Sequence, residues 1–115
     1  MSQVDYPTLP GPEVRVSQYE VSFVPESSPA RRHYTLRVVH KGFDRWAVTD
    51  GSLTLGSDGE FVYETGDDRM DLGWLEAHRF DLDTALDLAK RHAALMEVNG
   101  RTVHDVLALQ AEEEN

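Results

Sequence analysis

From residue 80 onward, apolar residues recur at offsets of three and four. Leu82, Ala85, Leu86, Ala89, Ala93 and Met96 fall on one face, with Leu88 and Leu95 widening the stripe, the pattern of a helix that faces a core. Asp81 stands where an N-cap accepts from the free amides of the first turn, and Phe80 occupies the staple position before it. Asp83 and Asp87 lie toward the amino end and Lys90, Arg91 and His92 toward the carboxyl end, which complements the helix dipole, although two acids four apart repel slightly. Beyond Asn99-Gly100, Thr102-Val103-His104-Asp105 has capping-box spacing with Asp in the place of Glu or Gln. A second, shorter helix is predicted there, with Val103, Val106, Leu107 and Gln110 as a narrow edge.

Before residue 64 the period is two. Tyr19, Val21 and Phe23 alternate with Glu20 and Ser22, and Tyr34, Leu36 and Val38 with Thr35 and Arg37. Trp46 and Val48 mark a third strand, Leu53 and Leu55 a short fourth, and Phe61 and Tyr63 one face of a fifth. Turn residues separate these runs at Pro25 to Pro29, Lys41-Gly42-Phe43-Asp44, Asp50-Gly51 and Ser57-Asp58-Gly59. No connection has room for a crossover helix, so an antiparallel meander follows. Residues 64–73 are polar with two glycines and read as a loop, and Trp74, Leu75 and His78 as a short helical turn. The predicted fold class is α+β: a meander of four to five strands, one main C-terminal helix packed on one face through Ala85, Ala89 and Ala93, and a shorter final helix. Residues 1–13, with Pro7, Pro10, Gly11 and Pro12, read as a flexible leader, 14–111 as one domain and 112–115 as an acidic tail.

Composition narrows the function. A chain of 115 residues that is 40% apolar can fill one core and not two. Without cysteine it has neither a disulfide framework nor a thiolate nucleophile or ligand. The polar start lacks the features of a signal peptide and no run has the length of a membrane span, so a cytoplasmic protein without a membrane partner is expected, in the host cytoplasm if phage-encoded. A formal charge of −10 argues against general affinity for nucleic acid. The distribution is uneven: residues 31–45 carry Arg31, Arg32, Arg37, Lys41 and Arg45 against Asp44 alone, whereas residues 50–87 carry eleven acids against Arg69 and Arg79.

These blocks supply the candidate partner-binding residues. Arg31, Arg32, Arg37, Lys41 and Arg45 form a basic hairpin with Phe43 at its turn, while Tyr34 and Trp46 occupy the inward phase and read as core. Glu64, Asp67, Asp68 and Asp71 form the acidic candidate. No catalytic, cofactor or metal site is predicted. His33, His40, His78, His92 and His104 lack paired ligand spacing, the acids fail the EF-hand pattern, and no nucleophile elbow, phosphate loop or dinucleotide fingerprint occurs.

Arg45-Trp46-Ala47-Val48, Asp58-Gly59-Glu60-Phe61, the run from His78 to Leu86 and Val98-Asn99-Gly100-Arg101-Thr102 together resemble small hypothetical proteins of actinobacteria and their phages over residues 19–109. That resemblance implies no activity. Ala85-Leu86-Asp87-Leu88-Ala89 is more weakly similar to the helix of HicB-like antitoxin domains, which follows a three-stranded sheet. Size, charge segregation and missing catalytic motifs lead to the expectation of a noncatalytic protein-interaction protein, such as a phage accessory or host-takeover factor, with no cofactor. The alternatives are an acidic DNA mimic that inhibits a nucleic-acid enzyme, with Asp58 joining the acidic block, and a HicB-like or RNA-binding module. The first strand, at a sheet edge, also allows a homodimer.

Overall fold

A computed structural model describes residues 8–113. The first seven residues of the expected leader and the last two of the acidic tail lie outside the described residues. Among the described residues the chain folds as α+β. Strands β1 (Gln18–Ser22), β2 (Thr35–His40), β3 (Trp46–Thr49), β4 (Thr54–Leu55) and β5 (Phe61–Val62) form an antiparallel sheet in sequential order. Helices α1 (Leu72–His78) and α2 (Leu82–Ala93) follow, then a hairpin of β6 (Glu97–Val98) and β7 (Arg101–Thr102), and α3 (Val103–Glu113).

The period of two divides the sheet as the sequence implies. Tyr19, Val21, Leu36, Val38, Trp46, Val48, Leu55 and Phe61 turn toward α2, whose Ala85, Ala89 and Ala93 are completely buried against them. Alanines at that contact let the helix lie close to the strands. The backbones of Trp46 and Phe80 exchange hydrogen bonds of 2.7 and 2.9 Å just before the helix begins. Asp81 caps α2 by accepting from the Thr84 amide at 2.8 Å. Asp44 reaches across the sheet as well, accepting from the Trp46 indole at 3.2 Å and the Leu82 amide at 3.1 Å. The β2–β3 turn and the start of the main helix are thereby fixed to each other.

Several expectations are corrected. Phe23 lies past the end of β1, half exposed at the hollow it shares with Leu86, and Val24 is buried in its stead. The Ser22 hydroxyl causes this shift, donating to the Tyr34 carbonyl at 2.7 Å and accepting from the Val24 amide at 3.1 Å. Thr35 keeps the outward phase, lining the depression beside Arg37, but is covered there, its hydroxyl donating to the Arg31 carbonyl at 2.5 Å. Leu95 is exposed because α2 ends at Ala93, and Tyr63 is exposed because β5 ends at Val62. The stretch 64–73 is more ordered than a loop, holding a 3-10 turn at Asp68–Met70 and the first residues of α1.

Asn99 and Gly100, with φ of 52° and 80°, make the tight turn of the β6–β7 hairpin, where the sequence reading saw only a helix start. The final helix is the shorter one, 11 residues against 12 for α2. Its capping box forms as predicted: the Thr102 amide donates to Asp105 at 2.9 Å and the Asp105 amide to the Thr102 hydroxyl at 3.2 Å. This helix packs away from the sheet on a second small core of Val24, Tyr34, Val103 and Val106, where the Tyr34 hydroxyl donates to the Arg101 carbonyl at 2.9 Å.

Candidate partner-binding surface

The sheet face turned away from α2 carries the other phase of each strand: Glu20 on β1, Arg37 and Val39 on β2, Ala47 and Thr49 on β3, Thr54 on β4. Arg37 stands in the middle of this face, in register with Glu20 on one side and Thr49 on the other. On one flank lies a depression of about 250 Å³ bounded by Arg31, Arg32 and Arg37 with Glu20, Glu26 and Ser28. On the other lies a depression of about 230 Å³ floored by Ala47, Thr49 and Thr54, with Lys41, Glu64 and Arg69 at its walls. Of the predicted basic block, Arg31, Arg32, Arg37 and Lys41 line these two depressions, joined by Arg69, whereas Arg45 lines neither.

These cations differ in freedom. Arg31 is partly committed to the fold, donating to the Val24 carbonyl at 2.7 Å and lying 3.9 Å from Glu20. Arg32 is exposed and donates to the His33 ring at 3.2 Å. Arg37, Lys41 and Arg45 are exposed, with headgroups able to meet a partner.

The β2–β3 turn presents an aromatic tip. Gly42 and Phe43 both have positive φ, 111° and 50°. The Lys41 amide donates to the Arg45 carbonyl at 2.8 Å and the Arg45 amide to the Gly42 carbonyl at 3.0 Å. His40, packed on the Trp46 ring at 4.8 Å, hydrogen-bonds the Phe43 carbonyl and holds the turn. For a residue with a Cβ, a left-handed conformation costs about 1–2 kcal/mol. Phe43 offsets none of this by packing, since it is 97% exposed. A strained aromatic that buries nothing at home is the residue on this hairpin best placed to bury itself in something else.

The acidic candidates do not form one surface row. The Glu64 side chain is only 10% exposed, and its carboxylate accepts from Arg79 and Arg69, each at 2.8 Å. Burial alone would raise the Glu64 carboxyl, but hydrogen bonds from Arg69 and Arg79, with the charges of Arg79 and Lys41, outweigh it and hold the pKa below the ordinary 4.5. Asp68 accepts from the Thr65 amide at 2.9 Å, and Asp71 caps α1 by accepting from the Trp74 amide at 3.1 Å. Asp67 is exposed and makes no side-chain cap. Asp58 accepts from the Glu60 amide at 3.0 Å inside the β4–β5 turn. Three of the four acids singled out from sequence therefore have partners within the fold.

Arg79, counted in the sequence only as a charge among acids, anchors this region. It is buried, pairs with Glu64, and lies 5.6 Å from the centre of the Trp74 ring, which stacks on His78 at 3.9 Å. The usable sequence signal was phase: Glu64 stands two residues after Val62, on the face that α2 does not cover. Among the described residues, no group of three or more histidine, aspartate or glutamate side chains is arranged to hold a metal ion, and no helix is long and apolar enough to cross a membrane. Comparisons with protein-family models, curated proteins and solved structures find no match.

Proposed function

We propose that this chain is a noncatalytic protein-interaction protein, one suited to a phage accessory or host-takeover role, and that it takes an acidic segment of another protein on the open face of its sheet. The observation that carries this reading is the convergence of Arg32, Arg37 and Lys41 on the sheet face opposite α2, beside the exposed ring of Phe43 at the adjoining turn. Exposed arginines bind carboxylates through two parallel hydrogen bonds, and an aromatic at the rim supplies an apolar anchor of the kind that dominates interface energies. Glu20 and Glu26 interrupt the cations. That interruption disfavours a phosphate backbone, which rewards an unbroken cationic track, and suits a protein segment that carries both signs. The acidic-mimic alternative has less support, because Glu64, Asp68 and Asp71 serve internal contacts.

The test is a binding titration of the intact chain against an acidic, aromatic-containing peptide library at low salt, with single-stranded RNA and duplex DNA in parallel. Selective capture of acidic peptides, weakened about tenfold or more by Arg37→Glu with Lys41→Glu, is the expected result. Preferential RNA or DNA binding that the same substitutions abolish would replace this reading with a nucleic-acid module.

A further inference from the structure

We propose that β1 is the seam of a symmetric dimer in which a second copy of this chain lays its own β1 antiparallel against the exposed edge. In the sheet order β1 is terminal, and the opposite edge, β5, has only two residues. The His40 amide donates to the Ser17 carbonyl at 2.8 Å. With the β1–β2 register, Ser17, Tyr19 and Val21 are therefore the residues that exchange bonds with β2, and Gln18, Glu20 and Ser22 point their N–H and C=O groups outward. The strand Gln18-Tyr19-Glu20-Val21-Ser22 has regular register and contains neither proline nor lysine; its one charge, Glu20, is set against Arg31 at 3.9 Å and leaves the outward amides of the strand free of a bulge or proline.

The surface beside this edge is complementary to itself. A hollow of about 490 Å³ lies along the β1 edge beside α2, lined by Tyr19, Val21, Phe23, Leu86 and Lys90, with Glu20, Ser22 and Arg31 at its rim. A two-fold axis through Val21 sets Ser22 of the second copy opposite Glu20 and brings Phe23, one residue past the end of the strand, toward Tyr19 of the second copy. Centring the pairing on Glu20 would instead oppose two carboxylates. In the favoured register the half-exposed Phe23 of each copy enters the hollow of the other.

The helices agree with this arrangement. A two-fold rotation about the sheet normal makes the α2 helices antiparallel, which brings Lys90 at the hollow of one copy toward the amino-terminal half of the other's α2, where Asp83 and Asp87 stand three residues before Leu86 and Lys90. Because α2 lies across β1, β2 and β3, its axis and that of the second copy would be about three strand spacings, roughly 14 Å, apart. Helices with side chains are about 10–12 Å across, which leaves a narrow gap for Leu86 and Phe23 of both copies. A five-residue strand alone would bury little for a stable interface, and the helix layer adds the second tier of contact.

Sedimentation velocity on the full chain over a range of concentrations tests the proposal. The expected species has twice the 13.0 kDa chain mass. Phe23→Asp, and Glu20→Pro, whose amide faces outward and leaves the β2 bonds intact, should each yield a single-chain mass with an unchanged circular dichroism spectrum. Lys90→Glu should weaken association about tenfold, and combining it with Asp83→Lys and Asp87→Lys should restore it. A single-chain mass at every concentration would overturn the proposal, as would a dimer that survives Phe23→Asp. Uptake of an unrelated extended peptide at β1 by a chain that does not self-associate would also count against it.

Discussion

At the residue scale, Phe43 and Glu64 show how position and partner decide what a side chain does. Phe43 occupies a left-handed backbone conformation and keeps its ring in solvent. Phe43→Gly should therefore stabilise the chain by about 0.5–1 kcal/mol, read by urea denaturation, while weakening acidic-peptide capture. An unchanged affinity would remove Phe43 from the surface proposed above. Glu64 and Arg79 have the opposite character. Their side chains are 10% and 7% exposed, so Arg79→Met, which leaves Glu64 with Arg69 alone, should cost about 1–3 kcal/mol, and Glu64→Leu added to it should recover much of that loss. Acid should act through the same group and through two caps. Glu64, Asp81 and Asp105 all have pKa values lowered by folding, the caps by hydrogen bonds from Thr84 and Thr102. A lowered carboxyl stabilises the fold above its unfolded pKa, and that contribution fades as pH falls through the lower folded value. The urea midpoint should consequently drop from about pH 4.5 downward, and Asp81→Asn with Asp105→Asn, which keep the caps but cannot titrate, should flatten part of that slope.

At the element scale, α2 was readable in advance because three signals coincide: an N-cap at Asp81, an alanine stripe and charges that follow the dipole. Its alanines are completely buried, so Ala89→Leu should destabilise by about 1–3 kcal/mol through overpacking, measured by thermal or urea unfolding. The strands were legible where alternation was long, as in β2, and misread where one hydrogen bond changed the phase. Ser22 bonds to the Tyr34 carbonyl and turns the chain, so Val24 is buried and Phe23 is not; nothing in the local pattern announces a partner 12 residues away. Asn99-Gly100 was ambiguous for a related reason, since the same dipeptide suits the end of one element and the turn of a two-residue hairpin.

At the scale of the whole molecule, the basic block was legible as composition; strand phase assigns Arg37 to the face away from α2, and Arg31, Arg32 and Lys41 reach it from the segments flanking β2. The acidic block was legible only as composition. Whether Glu64 is a surface charge or half of a buried pair depends on Arg79, fifteen residues away and on a different element. The molecule is also built in two unequal parts. The larger core joins the sheet to α2, whereas α3 rests on a core of four buried residues between the turn at Tyr34 and its own first two turns. Amide hydrogens in α3 should accordingly exchange with deuterium through openings that cost less free energy than those exposing β2 and β3. The C-terminal helix would then be a latch that lifts while the sheet and α2 stay closed, briefly uncovering Val24 and Tyr34 without unfolding the face that carries Arg37.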